Sequence, residues 1–500
     1  MILSRKNLKN LEDAQDLIVP NDSIFQLPEK VLQFGTGVLL RGLPDYFIDK
    51  ANRQGIFNGR IVVVKSTSAG SSSAFDTQDG LYTLAVKGIE NGERVEENII
   101  SSSISRVLSA TSEWNEILSC AQNPEMQIVI SNTTEVGLQL VLEKIDQTPP
   151  ASFPAKLLAF LEARYKAFKG SDTSGMIIIP TELIPDNGKK LKSILLELAE
   201  FNSLSDGFIR WMTTYNSFCN SLVDRIVPGK PDDLAAMTFR KQFGYEDELL
   251  TAAEVYRLWA IEGNEKVKSI LSFSKADAGV IIAPDIEIYR ELKLRLLNGT
   301  HTLSCGAAYL AGFETVVEAM EHDVISSFVS NIMKNEIAPS IPYKVNPKEA
   351  ADFSNSVLDR FRNPYIKHLW INITVQYSTK IKMRVLPVLL KHYETSKNVP
   401  ARIAIGFAAW ILFMKSVEKK GKDYFGERKS ARYPINDDQA EYFYNQWQKH
   451  GEDGIVHAVL SDKTFWGVEL TSLAGFEEAV NSNLKSIIIK GVLQTIREQQ

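Results

Sequence analysis

Short apolar runs alternate with stretches of helical periodicity along the first third of the chain. The runs at 30–34 (KVLQF), 60–65 (RIVVVK), 127–131 (QIVIS) and 175–180 (GMIIIP) are nearly unbroken in apolar residues, as in strands covered on both faces. A helical pattern at 155–168 separates the last two, and this repetition of strand, helix, strand predicts an α/β fold with a parallel sheet. Between the second and third runs, 82–98 reads as a polar strand pair turned at Glu90-Asn91-Gly92. From about Asp285 the period lengthens and predicts helices at 286–298, 302–320, 326–334, 401–415 and 476–498. The chain therefore divides into an α/β domain over 1–280 and a mainly α-helical domain over 281–500, with 280–284 either a last strand or a linker.

Composition narrows the classes of function. At about 100 to 200 residues per domain, 500 residues suit two or three domains. Lys plus Arg total 56 against 61 Asp plus Glu, a net charge of −5, the wrong sign for a polyanion, so nucleic acid is not an expected partner. No apolar run approaches the roughly 20 residues that span a bilayer. Cys120, Cys219 and Cys305 are scattered without CxxC spacing, which suits a reducing compartment. The charged N-terminus lacks the apolar stretch of a signal peptide, and the expected location is cytoplasmic.

Candidate chemistry begins at the end of the first strand. Phe34-Gly35-Thr36-Gly37 passes straight into a helical stretch carrying Arg41-Gly42. A pyrophosphate needs backbone N–H groups at a helix start and glycines that let the main chain approach, so this order predicts a Rossmann-like dinucleotide loop. Leu40 stands where the third glycine of the usual fingerprint would be, and a tight strand-to-helix turn explains the pattern equally well. The second strand ends at Lys65 without the acidic residue that holds a ribose 2′-OH, and lysine with hydroxyl side chains suits a 2′-phosphate as well, so this loop leaves NAD against NADP open. Asn132-Thr133-Thr134-Glu135 follows the third strand, either lining the cofactor crevice or capping a helix.

The most informative stretch is Lys293-x4-Asn298-x2-His301. On an α-helix Asn298 lies about 140° and His301 about 80° from Lys293, one sector of the surface. Alcohol oxidation without a metal needs a base for the hydroxyl proton and neutral donors for the developing alkoxide, which lysine and asparagine supply. Taken alone, a solvated lysine, a capping asparagine and a buried histidine account for the same letters. Asp186-Asn187-Gly188, after the fourth strand, is either a substrate loop or a turn. None of the six histidines pairs at i, i+4 or neighbours a cysteine pair, so no metal is expected.

Together these segments resemble the mannitol dehydrogenase family of polyol-specific long-chain dehydrogenases, over nearly the whole chain. Further matching stretches are Gln78-Asp79-Gly80-Leu81-Tyr82, Thr134-Glu135-Val136-Gly137, Val223-Asp224-Arg225-Ile226, Arg360-Phe361-Arg362-Asn363-Pro364 and Ser378-Thr379-Lys380-Ile381. The resemblance implies that Lys293 is the general acid/base, that Asn187 and Asn298 form the oxyanion hole, and that His301 orients substrate. It places Asp224 and Lys380 at the substrate, and Phe34, Gly35, Thr36, Gly37, Arg41, Lys65, Asp79, Thr134 and Glu135 at the cofactor, for which it implies NAD. Two positions depart from mannitol dehydrogenases: Thr181-Glu182-Leu183 replaces Cys-Asp-Asn, and Asn372 replaces an arginine, both near the expected substrate. Within the family, 180–188 and 64–70 most resemble the branch that interconverts D-tagaturonate and D-altronate in hexuronate catabolism. A sugar-acid substrate needs local cations, for which Lys380, Lys382, Arg384 and Arg360 or Arg362 are candidates. Fructuronate or mannitol as substrate, a sugar-phosphate dehydrogenase, and a non-catalytic nucleotide sensor are the alternatives.

Overall fold

A computed structural model describes residues 1–12, 14–66, 72–133 and 137–499. Its chain forms two compact units, Met1–Gly88 with Arg94–Ile286, and Ile89–Glu93 with Glu287–Gln500.

The first unit is built on a six-stranded parallel sheet of β1 (Glu29–Phe34), β2 (Arg60–Lys65), β3 (Ile104–Ser109), β4 (Ile128–Ser131), β5 (Ile177–Pro180) and β6 (Ser217–Phe218), in the order β3-β2-β1-β4-β5-β6. Successive residues of a strand point to opposite faces. Val31, Ile61, Val63, Ile128, Ile130, Ile177 and Ile179 accordingly pack into one core, and Leu32, Phe34, Val62, Val64, Val129 and Ile178 into another. That double burial is why the strands read as unbroken apolar runs. Crossovers leave β1 and β4 in opposite directions, which opens a crevice at the carboxyl ends of these two strands. The 82–98 pair forms strands Tyr82–Glu90 and Glu93–Ser101 in a separate four-stranded sheet. Three further strands, β7 (Ser221–Asp224), β8 (Leu258–Glu262) and β9 (Val280–Ala283), make a small mixed sheet, so 280–284 is a strand.

The second unit is mainly helical, with one small antiparallel sheet of Glu418–Lys420, Asp423–Arg428 and Ala431–Pro434. Two helices expected to be continuous are broken by glycines in left-handed or otherwise non-helical backbone, Gly312 (φ 110°) after Thr300–Ala311 and Gly491 (φ 81°) after Phe476–Lys490. Among the described residues three turns are π-helical: Lys293–Gly299, Ile332–Ile337 and Ile381–Val385. No helix among the described residues is long and apolar enough to cross a membrane.

Candidate active site

In the α/β unit, Phe34 ends β1 buried against Phe153, ring centroids 5.1 Å apart. Gly35 follows at φ 128°, where a Cβ would stand 2.9 Å from Leu40 and 3.1 Å from the Asn132 carbonyl, so only glycine turns here without strain. Thr36 is half-buried, and Gly37, exposed at the start of Val38–Gly42, has no atom within 4 Å of where its Cβ would be. That open approach to main-chain N–H groups at the β1/β4 switch point suits a pyrophosphate. Lys65 ends β2 at the same edge of the sheet. Arg41 turns inward instead: its guanidinium is buried, donates to the Leu249 carbonyl and lies over the Tyr82 ring, while the Tyr82 hydroxyl donates to the Arg41 carbonyl at 2.8 Å. Asp79 is exposed and accepts the Arg5 backbone N–H at 2.9 Å. Thr134 and Glu135 lie outside the described residues. Asp224 is buried at the end of β7, opposite Leu258.

At the ends of β4 and β5 a polar network fixes the loops. Asn187, fully buried, donates its amide to the carbonyls of Pro180, Glu182 and Ser221, each at 3.0 Å, and accepts from the N–H groups of Gly188 and Ser221, both at 2.9 Å. Both amide hydrogens are thus engaged by main chain, and in this conformation Asn187 holds the end of β5 to the start of β7. Gly188 has no room for a side chain, for its Cβ would lie 2.5 Å from the Cys219 backbone. Asp-Asn-Gly therefore opens helix Asn187–Phe201, with Asp186 in the left-handed region at φ 50°. Glu182 was legible in the sequence only as a departure. Its carboxylate is buried and accepts the Thr133 N–H at 2.8 Å, the Thr133 hydroxyl at 3.0 Å and the Ser131 hydroxyl at 3.2 Å, clamping the switch-point loop. Burial pushes this carboxyl above its ordinary range, although those hydrogen bonds oppose the shift.

In the helical unit, Lys293 opens a π-helical turn that contains Asn298. Hydrogen bonds run from i to i+5 there, and such a turn holds more residues than an α turn, so Lys293 and Asn298 come closer to one face than the 140° of an ideal α-helix. Both residues are half-buried. Arg295, buried and paired bidentately with Glu291 at 2.9 and 3.1 Å, donates to the Met383 and Arg384 carbonyls at 2.7 and 3.0 Å. These carbonyls belong to the second π-helical turn, Ile381–Val385, so one guanidinium ties the two irregular turns together. The Thr302 hydroxyl donates to the Asn298 carbonyl at 2.7 Å and accepts from Arg384 at 3.1 Å.

His301 follows on Thr300–Ala311, stacked on Phe361 with centroids 4.0 Å apart and edge-on to His368 at 5.1 Å and Trp370 at 6.0 Å. Burial, and then the fields of His368, Arg360, Arg384 and Lys380, hold its imidazole well below the ordinary range, so it is neutral. Its Nε2 is buried with no hydrogen-bond partner in the described structure. Lys380 closes helix Tyr377–Lys380 and donates to the Ile373 carbonyl at 3.0 Å. Lys382 points elsewhere, to the Phe465 carbonyl at 2.6 Å, and Arg362 lines a surface cleft with Asp352 and Asp359. No cluster of three potential metal ligands occurs among the described residues.

Residues 29–275 match the mannitol dehydrogenase Rossmann domain and residues 285–488 the mannitol dehydrogenase C-terminal domain. The chain belongs to the mannitol dehydrogenase family. It is an oxidoreductase acting on a CH–OH group. Within this family it is 38% identical over 481 residues to altronate oxidoreductases of Escherichia coli (strain K12) and Shigella flexneri, covering 94% of this chain and 97% of each relative. The mannitol dehydrogenase fold is equally plain in solved structures. The Pseudomonas fluorescens mannitol 2-dehydrogenase ternary complex with NAD and D-mannitol aligns at TM-score 0.66 and 22% identity, covering 100% of this chain and 99% of that one. A substrate-free D-sorbitol dehydrogenase aligns at TM-score 0.76 and 20% identity, covering 99% and 100%.

Proposed function

We propose that the chain is an NAD-dependent tagaturonate reductase of hexuronate catabolism, interconverting D-tagaturonate and D-altronate. The observation that carries the reading is the π-helical turn that holds Lys293 and Asn298 together, directly before a buried, neutral His301. The full-length likeness to altronate oxidoreductases supports the choice of substrate. The nicotinamide cofactor, when bound, supplies hydride to the ketone carbon and takes it back from the alcohol. The Gly35-Thr36-Gly37 backbone fits its pyrophosphate, and Lys65 stands at the strand end where the adenosine ribose belongs.

During reduction Asn298 donates a hydrogen bond to the ketone oxygen as negative charge develops there, and Lys293 delivers the proton that completes the alcohol. In the reverse direction neutral Lys293 removes the hydroxyl proton. His301, uncharged, offers Nε2 to a substrate hydroxyl without competing for that proton. Asn187 contributes by fixing the β5 loop; a direct bond from it to the substrate oxygen requires one of its carbonyl partners to be exchanged. Asp224 and Lys380 complete the substrate contacts, and Asp79, Thr134 and Glu135 the cofactor contacts, on the strength of the resemblance. Three buried, unpaired cysteines support a cytoplasmic location.

The test is NADH oxidation with tagaturonate, fructuronate and fructose side by side, repeated with NADPH. Tagaturonate with NADH is expected to give the highest kcat/KM. Faster turnover of fructuronate or fructose overturns the substrate, a preference for NADPH overturns the cofactor, and nucleotide binding with no turnover favours a sensor.

A further inference from the structure

Arg384 and Lys380 stand one helical turn apart, Lys380 ending Tyr377–Lys380 and Arg384 within Ile381–Val385. Neither forms an ion pair among the described residues. Arg384 spends one N–H on the Thr302 hydroxyl and Lys380 donates to the Ile373 carbonyl, both neutral acceptors. The nearest carboxylate acting on Lys380, Asp437, is occupied by the N–H groups of Ser378 at 2.7 Å and Gln439 at 2.8 Å. Burial lowers both cations from their ordinary pKa values. Both act on His301, which is nine-tenths buried, carries an unpartnered Nε2 and lies within the segment that holds Lys293 and Asn298. The Arg384 main chain is fixed by Arg295 and its side chain by Thr302, so the guanidinium is held before any ligand arrives. A planar donor fork with unspent N–H groups, next to a second cation and a neutral donor or acceptor, is suited to a carboxylate.

We propose that Arg384, supported by Lys380, binds the carboxylate of the sugar-acid substrate and is the residue by which this enzyme prefers acids over neutral polyols. The inference rests on the sugar-acid reading above and deepens it. Arg362 and Lys382, also candidates by sequence, point elsewhere, Lys382 to the Phe465 carbonyl and Arg362 into a surface cleft.

The test compares kcat/KM for tagaturonate with that for D-tagatose, the same skeleton bearing CH2OH in place of the carboxylate, in the parent enzyme and in Arg384→Leu, Arg384→Gln and Arg384→Lys. A charge-assisted hydrogen bond of this kind is worth about 10- to 100-fold. The acid-to-neutral ratio is expected to fall by at least that lower bound in Arg384→Leu, through the KM for tagaturonate, and to recover in part in Arg384→Lys. Arg384→Gln keeps a donor for Thr302 and decides the matter if the leucine variant fails to fold. Where tagatose turnover is too slow to follow, the KM for tagaturonate alone is the readout. A parental preference for the acid that survives both substitutions within threefold overturns the carboxylate site while leaving the substrate intact. A parent with no such preference overturns the substrate reading itself. A rise in KM for NADH instead assigns the cation to the cofactor and also overturns the proposal.

Discussion

At the scale of single residues, the catalytic assignments separate by what each side chain already does. Lys293→Ala is expected to lower kcat by 10² to 10⁴, the usual range for a lost general acid/base; a loss under about tenfold removes Lys293 from that role. Asn187→Ala is expected to differ in kind. It leaves the carbonyls of Pro180, Glu182 and Ser221 without their shared donor, so the melting temperature falls before kcat can be read. The sequence presented Asn187 and Asn298 as equals, since an amide's partners depend on which backbone folds around it. Glu182 was invisible as a clamp for the same reason, because its three donors come from Ser131 and Thr133 at the end of β4 and just after it, about fifty positions earlier. Asp45 supplies a test by pH. Full burial pushes its carboxyl up to about 8, with Gln33 donating at 3.4 Å. Between the unfolded value of about 3.9 and that folded value the native state keeps a proton that the unfolded chain releases, so stability declines as pH rises, by up to about 1.4 kcal/mol per unit. Asp45→Asn should flatten the decline in urea midpoints between pH 5 and 8 and be the more stable protein at pH 8.

At the scale of elements, the strands were the most legible feature, for double burial writes itself into the sequence as continuous apolar runs. Helix ends were less so: Gly312 and Gly491 break helices at positions where periodicity alone continues. The π-helical turns were not legible at all, because a 3.6-residue period fits their flanks and the change of hydrogen bonding has no residue signature. Their importance lay hidden in the Lys-x4-Asn spacing. Gly188 gives the corresponding test for the α/β unit. A methyl group at 2.5 Å from the Cys219 backbone cannot be accommodated without moving β7 or the helix, so Gly188→Ala should lower stability by about 2 kcal/mol or more, measured by thermal unfolding.

At the scale of the whole molecule, the division into an α/β and a helical part followed from one change of period near residue 285. The charge balance is informative only in its distribution. In a chain of net charge −5, Arg360, Lys380 and Arg384 act together on His301 and, after burial, help to hold it neutral, and the sum over the sequence carries no trace of that. Exhaustive chelation should leave activity intact, as expected for proton transfer through lysine; loss of activity restored by zinc would contradict it. The Lys293–Gly299 turn also bears on how such a gene can change over generations. A π turn holds one residue more than an α turn, so loss of a single codon there, Leu294 for instance, lets the helix revert to ordinary winding with its flanking registers preserved. The product of that deletion is expected to match its parent in circular dichroism and melting temperature and to turn over nothing: an inherited loss of function with no loss of protein.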